Sequence, residues 1–160
     1  VDDSQYSLRT AQLDDSATIA LHRAAMFRDM GLLDDQEFSG LKDASEAWIT
    51  QCMISGAYAG WLIESGGNVI AGAGILLRQQ GPIPGCLHVA YWAHVVNVYT
   101  DPKHRRQGLA RRLMHAILDW CKANGVEQVT LSSSEEGRAL YESLGFEPTA
   151  DMKLAVSAQI

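Results

Sequence analysis

The chain has 160 residues, 47% hydrophobic and 20% charged, which fits one domain able to bury a real core. A net charge of −6 disfavours nucleic acid as a partner, and no apolar run nears the ~20 residues a membrane-spanning helix needs. Three scattered cysteines suggest no disulfide framework, and the five histidines lack metal-ligand spacing, so no metal is expected.

Residues Tyr6 to Gln12 read as a first strand. Asp14 and Asp15 supply N-cap chemistry for a helix to about Met30, which Gly31 ends. A second helix is predicted over Gln36 to Ile54, with Phe38, Leu41, Trp48 and Ile49 near helical spacing. Tyr58 to Glu64 and Val69 to Leu77 are apolar runs joined by Ser65-Gly66-Gly67-Asn68, a hairpin signature. A Gly- and Pro-rich loop, Gln79 to Gly85, precedes a strand from Val89 to Thr100, and Pro102 marks its exit. An amphipathic helix follows from about Arg106 to Asn124, with Leu109, Leu113, Ile117 and Trp120 as its stripe. Gln128 to Leu131 makes a short strand and Glu135 to Leu144 a short helix closed by Gly145. Phe146 to Val156 is expected to return as one or two strands. The whole is an α/β chain, residues 1–160 as one domain, with a mixed sheet and helices on both faces.

Charge is concentrated at one place. Lys103, Arg105, Arg106, Arg111 and Arg112 fall within ten residues that hold no acid, while the other 8 Lys and Arg face 19 Asp and Glu. Cations at a helix N-terminus oppose the macrodipole unless an anion sits among them, and exposed amides there offer that anion a seat. Gly108, lacking Cβ, lets a phosphate approach the backbone. A solvated basic face is the competing account. Walker and dinucleotide loops do not fit, because Gly-Lys-Ser/Thr and three spaced glycines are missing.

RRQGLA at 105–110 resembles the pyrophosphate pattern R/Q-x-x-G-x-G/A of the GNAT superfamily of N-acetyltransferases. Its setting agrees: a strand ending VYT, then Pro102, then an amphipathic helix. ALYESLGF, Ala139 to Phe146, is similar to the family's second hallmark. The resemblance is firmest from Gly56 to Lys153. It implies a mostly antiparallel sheet split in a V between the strand ending at Thr100 and the strand from Gln128, with acetyl-coenzyme A in the split as co-substrate. It also implies pantetheine contacts from Val98, Tyr99 and Thr100. Pyrophosphate would be held around Arg105, Arg106, Gln107, Gly108, Leu109, Ala110 and Arg111. Ser134 stands where many relatives carry an Asn that touches pantetheine.

Acetyl transfer needs the amine deprotonated, and a lysine-like amine is only about one part in a thousand neutral at pH 7. By resemblance, Tyr141 is the acid that protonates the leaving thiolate. His94 falls at the offset where many relatives place a basic Glu, and a histidine suits that task. A polar sheet residue is the alternative for His94, and ring packing that for Tyr141. Asp29, Met26, Phe27 and Met30 lie where relatives wall the acceptor site. A solvated cap is the competing account for Asp29, and core packing at helical spacing that for Met26, Phe27 and Met30.

The expected reaction is direct transfer to a primary amine, of a small molecule or else of a protein N-terminus or lysine. The rivals are a non-catalytic acyl-coenzyme A sensor and a basic-patch nucleic-acid binder. VDDSQYSLRT shows no secretory signal, so a cytoplasmic location is expected, with no membrane partner. Many relatives dimerise through C-terminal strands, which makes a homodimer possible.

Overall fold

The computed structural model describes residues 3–157. Five strands form one sheet in sequence order: β1 (Ser7–Thr10), β2 (Tyr58–Ser65), β3 (Asn68–Gln80), β4 (Ala90–Thr100) and β5 (Val126–Thr130). All pairings are antiparallel except β4–β5, which is parallel. The parallel pair requires a crossover, and α3 (Leu109–Ala123) supplies it. Helices α1 (Ser16–Asp29) and α2 (Asp35–Ile54) cover the opposite face, and α4 (Glu135–Ser143) follows β5.

Local chemistry accounts for the joints. Gly66 and Gly67 both take positive φ, 57° and 81°, as a tight hairpin turn between β2 and β3 requires. The Asp34 carboxylate caps α2 by accepting from the amides of Gln36 and Glu37 at 3.0 and 2.9 Å. Asp15 is used differently from expectation. It accepts from the Gln12 amide and pairs with Arg9 instead of capping α1.

Two apolar layers sandwich the sheet. On one face Leu109, Leu113, Met114, Ile117 and Cys121 of α3 pack on Ile63, Ala71, Ala73, Ile75, Ala93 and Val95. Full burial of a side chain such as Leu113 or Ile117 contributes about 1.5–3 kcal/mol. On the other face Ile19, Ala20 and Ile49 pack against Tyr58 and Leu62. Tyr58 lies over paired Gly60 and Gly74, and a Cβ on Gly74 would come within 2.1 Å of its hydroxyl.

Two expectations change. The third long helix starts at Leu109 rather than Arg106, because Arg106 (φ 60°) and Gly108 (φ 74°) are left-handed and cannot extend a helix. The strand expected over residues 146–156 does not form. Met152, Leu154 and Val156 alternate as a strand would, yet they are 97%, 72% and 77% exposed. Alternation secures a strand only where one face finds a core, and Pro148 also withholds a ladder donor.

Candidate functional site

The sheet opens where the basic loop begins. Strand β5 pairs with β4 only between Tyr91 and His94. From Val95 to Thr100 the β4 edge turned away from β3 has no strand partner among the described residues. A bulge sits in the same stretch: Gly74 faces Val96 and Gly72 faces Tyr99, so Ala73 opposes both Asn97 and Val98. Asn97 takes φ 58°, a left-handed conformation that asparagine tolerates better than most residues. The chain leaves β4 through a turn at Pro102–His104, capped by Asp101, and reaches Gly108, the N-cap of α3.

That helix end lacks the usual partners. Gly108 has no side chain to cap it, and the first turn contains no acid. The amides of Leu109, Ala110 and Arg111 therefore have no intrahelical acceptor. Left-handed Arg106 and Gly108 alternate with other conformations to form a concave run of amides suited to an anion. Apart from its chain neighbours, no described atom lies within 4 Å of where a Gly108 Cβ would stand, so the approach is open.

The basic side chains divide into braces and an exposed remainder. Arg105 pairs with Asp29 of α1 and donates to the Thr100 carbonyl at 3.0 Å. Arg111 donates to Ser143 of α4 at 2.8 Å, and Arg112 to the Tyr6 carbonyl at 3.1 Å. Arg106 and Gln107 are exposed, and Arg106 makes no ion pair among the described residues. Arg105 and Arg111 thus tie the loop to helices on either side of the cleft.

Across the bulge lies a polar cluster that sequence reasoning missed. Arg23 of α1 donates to Asn97 Oδ1 at 2.8 Å, and Asn97 Nδ2 donates to the buried Tyr58 hydroxyl at 3.4 Å. Burial pushes the Tyr58 phenol up to about 12. The Arg23 guanidinium lies 4.9 Å from the Phe27 ring and 5.0 Å from the Trp48 ring. His22 is buried one residue earlier, its ring 4.7 Å from that of Tyr99, and its Nδ1 has no partner among the described residues. Burial pulls His22 below the ordinary histidine value, and Asp101 opposes this only in part. One signal for the cluster was available: Asn97 interrupts the apolar run VVNVY, and a buried amide needs partners.

The expected proton carriers come from different elements, His94 from β4 and Tyr141 from α4. His94 is half-buried at the last β4–β5 rung, with Nδ1 2.8 Å from the Thr130 hydroxyl. Burial first, then Arg78, lowers its pKa. Tyr141 of α4 packs edge-on to Phe146 at 6.0 Å, and burial raises its phenol pKa. Its hydroxyl has no hydrogen-bond partner among the described residues. Ser134 is the N-cap of α4, its Oγ accepting from the Gly137 amide at 3.1 Å. Val98 packs into the α3-side core, while Met26 and Phe27 are half-buried and Met30 is half-exposed at the end of α1.

The family model described as the acetyltransferase (GNAT) family matches residues 20–146. The chain belongs to this family. It is 27% identical over 103 residues to human N-acetyltransferase 8, covering 62% of this chain and 43% of that protein. The chain spans half or less of the length of the curated relatives it matches first. Among solved structures, a GCN5-related N-acetyltransferase from Ralstonia eutropha superposes with TM-score 0.85 at 29% identity, covering 95% of this chain and 99% of that one. A predicted acetyltransferase from Clostridium acetobutylicum, solved with acetyl-CoA, gives TM-score 0.84 at 20% identity over 96% and 98% of the two chains.

Two features lie outside the split of this GNAT chain. Cys86, His88 and Glu127 bring potential metal-ligand atoms within 4.8 Å of one another beside the start of β5, in a largely exposed position. Phe27, Leu32, Leu33, Glu37, Gly40 and Leu41 line a cavity of about 580 Å³ between α1 and α2. No helix among the described residues is long and apolar enough to cross a membrane.

Proposed function

We propose that the chain transfers an acetyl group from acetyl-coenzyme A to a primary amine of a small molecule, with both substrates bound together. The observation that carries this reading is the uncapped N-terminus of α3 opening beside the unpaired edge of β4. Concave amides without acceptors fit a pyrophosphate, and an unpaired strand edge fits the amide groups of pantetheine. Amides from Arg106 to Arg111 hold the phosphates, and backbone groups of Val98, Tyr99 and Thr100 align the arm. The relative solved with acetyl-CoA shares this fold.

Bound there, the co-substrate supplies an acetyl group activated as a thioester. The amine loses a proton as its nitrogen bonds to the acetyl carbon, and the sulfur gains one as the carbon–sulfur bond breaks. His94 is suited to the first transfer. With its own proton on Nδ1 and donated to Thr130, Nε2 is left to accept, and the lowered pKa keeps the ring neutral at pH 7. Tyr141 is suited to the second, since burial raises its phenol pKa above the ordinary value of 10 and so favours the protonated form at neutral pH. A backbone amide at the β4 bulge steadies negative charge developing on the acetyl oxygen.

Calorimetry with acetyl-coenzyme A on wild type and on Gly108→Trp tests the reading. Micromolar binding that the indole abolishes is expected, because the side chain points into the open space over the helix end. Gly108→Ala, which carries the same left-handed backbone cost of about 1 kcal/mol, controls for folding. A folded wild-type protein that does not bind acetyl-coenzyme A overturns the proposal.

A further inference from the structure

We infer that Arg23 receives the carboxylate of the acceptor, and that the acceptor is a free α-amino acid. This rests on the acetyl-transfer reading and narrows its substrate class.

The starting point is an unbalanced charge. The guanidinium offers five donors, yet Asn97 Oδ1 is its one hydrogen-bond acceptor among the described residues. No carboxylate lies within 4.0 Å of it there; Arg78, Arg106 and Arg111 also lack one among the described residues, but those three are exposed and Arg23 is half-buried. Arg23 is also desolvated enough for burial to lower its pKa, so it gives up hydration without gaining a counter-charge. Phe27 and Trp48 occupy its flanks and leave the edge of the fork as the place for an anion.

Position separates that anion from the coenzyme phosphates. Asp29, which touches the phosphate loop through Arg105, lies six residues further along α1. Six residues are about 9 Å of helix. Arg23 instead meets β4 at the bulge, one residue from Val98 and three from His94. A planar carboxylate can take two parallel bonds from the fork, and its single charge matches one arginine better than a doubly charged phosphate does. An amine on the carbon next to that carboxylate would stand beside the bulge.

The test measures acetylation of a panel of α-amino acids, their carboxamides and O-phosphoethanolamine by thiol release. Wild type, Arg23→Gln and Arg23→Lys are compared, with acetyl-coenzyme A affinity followed by calorimetry. For at least one side chain, wild type should favour the acid over its amide by roughly 10²-fold in kcat/KM, as charge-assisted bonds warrant. Arg23→Gln should erase that preference, mainly through KM, with amide rates and coenzyme affinity changed by less than about three-fold. Arg23→Lys should keep part of the preference, because it keeps the charge and loses the fork. Amides used as well as acids, preference for the phosphorylated amine, or equal loss on both series in a variant that melts like wild type would overturn the inference and leave acetyl transfer standing. Failure to bind acetyl-coenzyme A would remove both.

Discussion

Asn97, left-handed in the β4 bulge, points its side-chain carbonyl at Arg23 and its amide nitrogen at Tyr58, at 2.8 and 3.4 Å. One backbone irregularity thus couples the sheet to the only described arginine of α1 that lacks an acidic partner. The bulge also sits where β4 parts from β5, so the residue that shapes the cleft also orients a cation beside it.

Asn97→Ala should therefore cost about 2–3 kcal/mol, from buried polar groups left unpaired and a left-handed conformation alanine resists. Asn97→Gly loses the same bonds but accepts the conformation. It should recover about 1 kcal/mol of that cost in urea denaturation. Equal destabilisation by the two variants would show that backbone conformation contributes nothing here.

Gly74→Ala should be among the most damaging single-methyl additions, because its Cβ would stand 2.1 Å from the Tyr58 hydroxyl. Tyr58 is buried beneath α1 and α2 and cannot yield without disturbing Asn97. Overpacking of this kind costs about 1–3 kcal/mol. The expected readout is a Tm several degrees lower, against no such loss for Gly40→Ala, where a Cβ meets only open space.

The roles proposed for His94 and Tyr141 set the pH dependence expected of kcat through their two displaced pKa values. His94 acts as a base only when neutral, so kcat should fall as pH drops through an apparent pKa below 6.5. Tyr141 must be protonated and its pKa is raised above 10, so no alkaline limb from it is expected below that value. His94→Ala should remove the acid limb. Tyr141→Phe should lower kcat by about 10²–10³ with acetyl-coenzyme A affinity unchanged. An acid limb that survives in His94→Ala would place the base elsewhere.

Asp15 makes stability pH-dependent in the acid range. Its hydrogen bonds from Arg9 hold it below the usual carboxylate value, helped by the Gln12 amide and opposed by burial. A lowered folded pKa stabilises the protein above the unfolded value of about 3.9, and this is lost as pH falls through the folded one. Asp15→Asn should therefore cost about 1–2 kcal/mol at pH 7, and the difference from wild type should shrink as pH falls below about 3.9, by denaturant titration.

Much of this architecture is legible in the chain. The Ser65–Asn68 turn, the α3 stripe and the exit at Pro102 rest on local chemistry, and each occurs close to its expected place. The misses share a cause. The start of α3 depends on two left-handed residues, and arginine at 106 gives no hint of that conformation. Met152, Leu154 and Val156 carry strand periodicity, but pairing requires an edge that periodicity cannot supply. Arg23 reads as one more polar position of the first helix. Its significance arises only once folding brings it to Asn97, 74 residues away.

The brevity of the β4–β5 ladder has a mechanical consequence. Strands β2 and β3 are each held on both sides, whereas β5 is joined to the sheet over Tyr91–His94 alone and has no strand beyond it among the described residues. Local opening follows the least-supported elements first. Backbone amides of β2 and β3 should exchange with deuterated solvent last and those of the edge strands β1 and β5 first, so on one of its two sides the sheet unfastens where its cleft already lies open.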